Sequence, residues 1–303
     1  MILEFPPAFD LNYYRRMYPE LNYQPDEVVI EHYRLYAEEQ GRTCCTFDRS
    51  EKLRELLNKA VNKLPIKLLE IGPFDNPSIL PPEQGEGTVK YFDIFDSAEL
   101  QQLATKTGRK YRNTPKKIDY VSPNGDLTIV DETFDIVFSS HSIEHQMNLI
   151  KHFQLVENIL NDGGLYVMVV PDKRFCFDHF RQPTSITEVL AYYCHDVQFR
   201  PFFSFIDCKM METHNSPIMH WFGMHGDAEA NITPQKFEEC YRQYKEARAA
   251  GRYIDCHSLC FTPYSFEHLI KLIKKLRLTN FNIHRICHTV WGRVEFTVVL
   301  KKN

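Results

Sequence analysis

The chain predicts an α/β fold, a mostly parallel sheet covered by helices on both faces and closed by a C-terminal antiparallel hairpin. Three observations predict it. Runs that are apolar throughout, Lys67 to Ile71, Val89 to Phe95, Lys117 to Val121, Phe134 to Ser139 and Leu165 to Val170, alternate with helical patterns, as strands buried on both faces do. The first run, Leu68 to Pro73, breaks at Gly72, and the second carries Asp93 in Tyr-Phe-Asp-Ile-Phe; a glycine break followed about twenty residues later by a strand-end carboxylate is how such a sheet builds a nucleoside site. The last two strands, Phe281 to Thr289 and Glu295 to Leu300, have no helix between them.

The remaining elements follow in order. Residues 10 to 41 stand apart: Asp10-Leu-Asn-Tyr-Tyr and Tyr18-Pro-Glu-Leu precede a helical pattern with Val28, Val29, His32, Tyr33 and Tyr36 on one side, stopped at Gly41. This segment, bounded at residues 1–48, is too small to fold alone and is expected to lean on the main domain, 49–303. Ser50 to Val61 reads as an amphipathic helix into the first strand, and Ser97 to Ala104 as another. After the fourth strand, Leu149, Phe153, Val156 and Leu160 form a helical stripe, with Gly163-Gly164 before the fifth strand. Thr262 and Pro263 read as N-cap and first residue of the last helix, with Phe266, Leu269, Ile270, Ile273 and Leu276 as its buried stripe. Residues 173–258, rich in His, Phe and Tyr and poor in strand signals, read as an inserted, mostly helical cap over the strand ends.

Bulk properties exclude several classes. With 303 residues, 43% hydrophobic and 25% charged, the chain can bury a full core and is neither disordered nor fibrous. A net charge of −4 offers no basic field, which makes nucleic acid an unlikely main partner. No apolar run reaches the roughly 20 residues of a membrane span, and no leader pattern opens the chain, so a cytoplasmic protein is expected. The nine cysteines are scattered without a Cys-x-x-Cys; a reducing compartment explains them better than a disulfide framework or zinc ribbon, and most are expected to be buried apolar residues.

The segment His141-Ser-Ile-Glu-His145 follows directly on the fourth strand. If it opens the next helix, its polar side chains fall at i, i+3 and i+4 and cluster on one face. Further histidines, His214, His220, His225 and His257, together with Asp227 and Asp255, lie beyond the fifth strand. Pro171-Asp-Lys-Arg174 sits at the tip of that strand. There Asp172 is placed to accept from hydroxyls, and Lys173 or Arg174 to pair with an anion.

With these motifs in view, residues 50 to 303 resemble the class I S-adenosylmethionine-dependent methyltransferases, through Leu68-Leu-Glu-Ile-Gly72, Asp93, Phe134-Asp-Ile-Val-Phe-Ser-Ser-His141, Glu144-His145 and Gly163-Gly-Leu-Tyr-Val-Met-Val-Val-Pro171. The closing hairpin fits the Rossmann-like sheet of that class. More narrowly the chain resembles a group encoded among polysaccharide and O-antigen genes, through Asn76-Pro77, Pro171-Asp-Lys-Arg174, Phe177-Asp178 and His257. The tyrosine-rich N-terminal segment, closing at Gly41-Arg42, is similar to one that polysaccharide-assembly enzymes carry. One departure is that only Gly72 remains in the first loop, before Pro73.

The resemblance implies S-adenosylmethionine as cofactor, contacted by Glu70, Gly72, Pro73, Asp93, Ser140 and His141, with adenine near Asp119 or Asp126. Glu70 is placed to hold the cofactor's ammonium side or to order the loop around it. Glu144-His145 is similar to the Glu-x-x-Glu-His motif of metal-dependent 2′-O-methyltransferases and ubiquinone-pathway O-methyltransferases, with His141 in place of the first glutamate. That leaves a divalent metal open, on Glu144, His145 and His225. It leaves equally open that the pair packs beneath the cofactor. The same pattern matches the His-x-x-Glu-His of inverted zinc peptidases, which lack an adenosine-type site upstream.

The expected activity is methylation of a hydroxyl on a glycan or nucleotide sugar during capsule or O-antigen assembly, with glycosyltransferases of the same pathway as partners. A sugar hydroxyl is a poor nucleophile, so a base or metal is needed, and His145, His225, His257 and His141 are the catalytic candidates. Asp172, Lys173, Arg174, His220 and Trp221 are the acceptor-binding candidates, with Tyr192, Tyr193, Phe202 and Phe203 as flat faces for a sugar ring. The alternatives are methylation of a small aromatic or a ribose 2′-hydroxyl, a metal-dependent hydrolase, and a glycan-binding module.

Overall fold

Seven strands form one sheet: β1 (Lys67–Ile71), β2 (Thr88–Asp93), β3 (Tyr120–Val121), β4 (Phe134–Ser140), β5 (Leu160–Pro171), β6 (Asn282–Cys287) and β7 (Glu295–Lys301). The computed structural model describes residues 9–37, 40–45, 50–108, 113–197 and 199–303. Across the sheet the order is β3-β2-β1-β4-β5-β7-β6. The first five strands are parallel, and β7 runs antiparallel to both β5 and β6. The chain leaves β1 toward β2 on one side and later returns to β4 on the other. The carboxyl ends of β1 and β4 therefore border the switch point, where open α/β sheets hold ligands.

Alternation along each strand feeds two cores. Leu68, Ile136, Phe138, Val167 and Val169 face a layer built on α3 (Ser50–Lys63), through Leu53, Leu57 and Val61. Leu69, Ile71, Val137, Met168 and Val170 face the opposite layer, which contains Phe153 and Val156 of α5 (Leu149–Ile159) and Phe266, Leu269, Ile270 and Ile273 of α10 (Pro263–Lys275). This period of two places every second side chain on each face. The Thr262 hydroxyl caps α10 by accepting from the Ser265 backbone N–H, and the Ser265 hydroxyl oxygen accepts from the Thr262 N–H in return, a reciprocal box. Leu276 lies just past that helix and is 49% exposed, so the buried stripe ends at Ile273. Between β2 and β3 lies α4 (Ser97–Lys106), capped by Asp96.

Several boundaries differ from the sequence expectation. β3 shrinks to Tyr120–Val121 because Asp119 turns its carboxylate onto the backbone of β2, its Oδ2 accepting from Tyr91 N–H at 3.0 Å. β5 starts at Leu160, and Gly163 enters it with φ +74, next to an irregularity in the pairing with β4. The largest difference lies after β4. His141 adopts φ +49, only a single 3-10 turn covers Ile143–His145, and the helix begins at Leu149 behind an Asn148 cap.

The segment between β5 and α10 contains four helices, α6 (Ile186–Cys194), α7 (Phe202–Met210), α8 (Pro217–Trp221) and α9 (Pro234–Ala249). It has a small core of its own in Phe205, Cys208, Cys240, Tyr244 and Cys256. At the N-terminus, α1 (Leu11–Met17) and α2 (Asp26–His32) gather Tyr14, Leu21 and Val29 against Cys44, Cys45 and Cys287 of β6. Val28 and Tyr36 point outward, at 47% and 42% exposure. None of the nine cysteines forms a disulfide, and all but Cys194 are buried. Among the described residues no helix is long and apolar enough to cross a membrane.

Phe153 is fully buried and meets Tyr166 and Phe281 edge-on at 6.4 and 6.0 Å. Phe153→Ala is expected to cost about 3–5 kcal/mol through the cavity it leaves, measured as a lower urea midpoint at unchanged slope.

Candidate active site

The loop after β1 is built by two left-handed residues, Gly72 at φ +70 and Phe74 at φ +48, on either side of Pro73. A Cβ on Gly72 would meet nothing closer than Ser142 Oγ at 3.6 Å. The glycine is thus required by its backbone angle, and it leaves the backbone bare at the switch point. Glu70 lies below this loop, 2% exposed, with Oε1 accepting from Ser78 N–H at 2.8 Å and Oε2 from Ile79 N–H at 3.0 Å. Burial pushes its carboxyl up to about 7 against those two donors. Both Glu70 oxygens thus tie β1 to the Ser78–Ile79 backbone, the contact expected of a residue that orders the loop.

Asp93 ends β2, 7% exposed, with Oδ1 accepting from Phe95 N–H at 3.2 Å. Burial raises its carboxyl, opposed by backbone N–H groups of Phe95, Ile94 and Phe74. The other two acidic candidates on this side are engaged. Asp119 is held by Tyr91 N–H and by Lys117 Nζ at 2.7 Å, and Asp126 caps the Leu127–Ile129 turn through Thr128 N–H at 2.9 Å. Both carboxylates stabilise the strand-end loops.

At the end of β4, Ser140 Oγ accepts from Arg54 Nη2 at 2.9 Å. His141 swings away from the turn that follows, and its Nε2 meets Glu295 Oε2 at 2.6 Å. Glu295 also accepts from Ser50 Oγ. Burial alone would raise Glu295, but the His141 hydrogen bond and charge, with Ser50 and Arg54, draw it down to about 2. Burial would lower His141, and the carboxylates of Glu295 and Glu144 lift it instead.

The turn Ile143–His145 presents Glu144, 1% exposed. Its carbonyl accepts from Ser258 N–H at 2.8 Å and Leu259 N–H at 3.0 Å, which draws His257 to it. Around the Glu144 Oε1 stand His257 Nε2 at 3.7 Å, His141 Nδ1 at 3.9 Å and His145 Nε2 at 4.0 Å, and neither carboxylate oxygen has a hydrogen-bond partner. His257 Nδ1 lies 2.5 Å from Asp178 Oδ2, and Asp178 Oδ1 accepts from Arg181 Nη1 at 2.7 Å. Complete burial raises Glu144, opposed by His257 and His141. Burial would lower His257, but Asp178 and then Glu144 raise it. His145 is pushed down to about 3 by burial, then by the charges of His257 and Arg200. Tyr253 Oη lies 3.4 Å from His145 Nδ1 and also lines, with Asp255, Lys209 and Arg252, an open cleft of about 390 Å³.

His225 is not in this group. It stacks on His179 at 3.8 Å and 11°, and its Nδ1 faces His220 Nδ1 at 3.0 Å. The histidines therefore form two clusters instead of one chamber. His220 is 2% exposed, with its Nε2 on the His214 carbonyl. Trp221 stacks on Phe175 at 3.8 Å and donates to the Arg293 carbonyl. Asp172 is fully buried, accepting from Arg174 and from Thr289 Oγ1 at 2.7 Å, and Lys173 donates to the His179 carbonyl at 2.6 Å. Asp172, Lys173, His220 and Trp221 thus tie the cap to the sheet, because a strand tip under inserted chain is not solvated. Arg174, chelated by Asp172 and 28% exposed, remains at the rim. Of the cap aromatics, Tyr192 is buried and Phe203 is 56% exposed. Asp178, Arg181 and Glu295 are the residues that sequence reasoning left without a role, since their links to the site, to His257 for the first two and to His141 for Glu295, span at least 76 positions.

The Glu295–His141 pair fixes a pH dependence. Glu295, lowered from 4.5 to about 2, contributes stability that is full above 4.5 and lost as pH falls toward 2. His141, raised above 6.5, contributes below 6.5 and loses it as pH climbs through its folded value. The stability gap between wild type and Glu295→Gln, measured by urea unfolding, is expected to be widest between those limits and to narrow on both sides.

Comparisons with known proteins bear on this crevice. The sequence matches the family described as "Methyltransferase domain" over residues 82–168, less than a third of the chain, from just before β2 into β5. No curated protein matches. Solved structures similar to it include the CurJ carbon methyltransferase, at 14% identity over 83% of this chain and 53% of that one with a TM-score of 0.39. This chain thus spans about half the length of that CurJ chain. Others are a SAM-dependent methyltransferase from Aquifex aeolicus, at 10% identity over 84% and 95% with a TM-score of 0.40, and an S-adenosylmethionine-dependent methyltransferase from Clostridium acetobutylicum, at 10% over 92% and 98% with a TM-score of 0.37. The domain match is seated on the strands that carry Asp93 and the β4 switch point, within a parallel sheet closed by an antiparallel hairpin.

Proposed function

We propose that the chain is an S-adenosylmethionine-dependent methyltransferase that acts on a hydroxyl of a sugar, carried by a glycan or a nucleotide sugar, in capsule or O-antigen assembly, alongside the glycosyltransferases of that pathway. The observation that carries an oxygen acceptor is the Glu144–His145–His257 group, a buried carboxylate and two imidazoles at the mouth of the cofactor crevice with Asp178 behind His257. A sugar hydroxyl is a weak acid and a poor nucleophile, so its methylation gains from a positioned proton acceptor of this kind. The aromatic face of Phe177, 4.7 Å from the His257 ring, and the open cleft beside Tyr253 support approach of a sugar ring from the cap side. The tyrosine-rich N-terminal segment, similar to one carried by polysaccharide-assembly enzymes, supports the pathway.

The residues present fit the cofactor. Gly72 leaves a bare backbone at the switch point, and Asp93 closes the neighbouring strand with a buried carboxylate. In this reading Gly72, Pro73 and Asp93 hold it, Ser140 and His141 border it, and Glu70 keeps the loop in shape. When bound, S-adenosylmethionine supplies an electrophilic methyl group. The chain's own part is to orient the acceptor oxygen, exclude water and remove the hydroxyl proton at the Glu144–His145–His257 group.

Two outcomes test this. Asp93→Ala is expected to weaken S-adenosylhomocysteine at least 10-fold by isothermal titration, the scale of a lost hydrogen bond to a charged group, with fold retained by circular dichroism. Radiolabel transfer from S-adenosylmethionine is expected onto nucleotide sugars or capsule fragments, with a gain of one CH₂ by mass spectrometry. Transfer to catechols or to RNA ends, with sugars inert, overturns the sugar acceptor while keeping the methyltransferase.

A further inference from the structure

Glu144 is a fully enclosed carboxyl ringed by imidazoles. Among the described residues neither of its oxygens has a hydrogen-bond partner. A buried charge of this kind is ordinarily paired, protonated or bound to a metal, because leaving it alone costs several kcal/mol. Loose placement does not explain it, since the Glu144 carbonyl is fixed by the N–H groups of Ser258 and Leu259. The three nearest polar atoms are imidazole nitrogens at 3.7, 3.9 and 4.0 Å. Those separations are too long for hydrogen bonds. Donors bound about 2.1 Å from one cation stand about 3.0–3.5 Å apart, so small side-chain movements would close the group on an ion.

The surrounding bonds fix which nitrogens are available. His257 turns its Nδ1 to Asp178, itself held by Arg181, and its Nε2 to Glu144. A carboxylate behind a histidine in this way is the usual outer support of a ligating imidazole. His145 turns its Nδ1 to Tyr253 Oη and Asp255 Oδ1, at 3.4 and 3.6 Å, and its Nε2 to Glu144. The two rings meet edge to face at 89°, so in-plane lone pairs from both can reach one point. The second histidine cluster lacks that geometry: His179 and His225 stack in parallel at 3.8 Å, and no point lies in both ring planes.

We propose that Glu144, His145 and His257 bind one divalent metal ion through the Glu144 carboxylate and the two Nε2 atoms, with Asp178 as the positioning residue of His257. Two imidazoles and one carboxylate favour a first-row transition ion such as Zn²⁺ or Mn²⁺ over Mg²⁺. Three protein donors leave positions open for an acceptor's oxygens, and a bound hydroxyl is acidified there. The inference rests on the proposed acceptor site for its use, but binding is independent of which acceptor is methylated.

The test uses the full chain after chelator treatment and dialysis. Isothermal titration and elemental analysis with Zn²⁺, Mn²⁺ and Mg²⁺ are expected to give one equivalent of a transition ion, and Co²⁺ to give visible absorption bands of nitrogen–oxygen coordination. Glu144→Gln and His257→Ala are expected to weaken the ion at least 100-fold, and Asp178→Asn 10- to 100-fold. S-adenosylhomocysteine affinity is expected to stay unchanged in all three, which separates lost ligation from misfolding. His179→Ala is expected to leave the ion bound. No stoichiometric ion, or an ion lost with His179→Ala and kept with His257→Ala, overturns the site. Sugar methylation that persists in chelator removes the metal and spares the function; an ion bound without any sugar acceptor does the reverse.

Discussion

The pair of hydrogen bonds from Ser258 and Leu259 to the Glu144 carbonyl is the joint on which the active region depends. It seals the turn after β4, the central strand of the switch point, to the chain returning from the cap just before α10. Without it the sheet would still hold a crevice, but His257, Asp178 and Arg181 would have no fixed relation to Glu144 and His145. Arg181 reinforces the same joint from the cap side, donating to the His257 carbonyl at 3.1 Å as well as to Asp178. One guanidinium thus fixes both the backbone and the side-chain partner of the same histidine.

Two electrostatic environments follow from the way the chain leaves β4. The left-handed backbone of His141 throws that side chain toward β7, where Glu295 and Ser50 hold it. The next residues fold inward as a single turn and bury Glu144. A continuous helix from His141 would have carried all three polar side chains on one face. The left-handed residue and the 3-10 turn instead bond His141 to the start of β7 and leave Glu144 and His145 to the cap. The substitution of histidine for glutamate at position 141, relative to the motif it resembles, therefore falls on a residue with a different job.

Strand identity was legible because burial on both faces demands uninterrupted apolar runs, and the closing hairpin was legible because Phe281 to Leu300 has no room for a helix. Gly72 and Asp93 were readable for the same reason: each punctuates a strand end. The histidines were not sorted by sequence. His225 and His257 look alike as lone residues in a polar stretch, yet one stacks on His179 and the other backs onto Asp178, 79 positions earlier. Asp172 and Lys173 read as acceptor-binding residues at a strand tip but are buried under the cap, which their own sequence cannot show.

The sequence by itself determined the layered, mostly parallel sheet with its closing hairpin, the strand ends at Gly72 and Asp93, and the Thr262 cap of the last helix, since these follow from local periodicity, glycine conformation and side-chain capping. Tertiary structure alone decided which imidazoles share a carboxylate, which acidic residues are already satisfied, and that Glu144 is left without a hydrogen bond. Such pairings join side chains about a hundred residues apart and depend on how an inserted cap settles on the sheet, a matter of packing that no local pattern encodes.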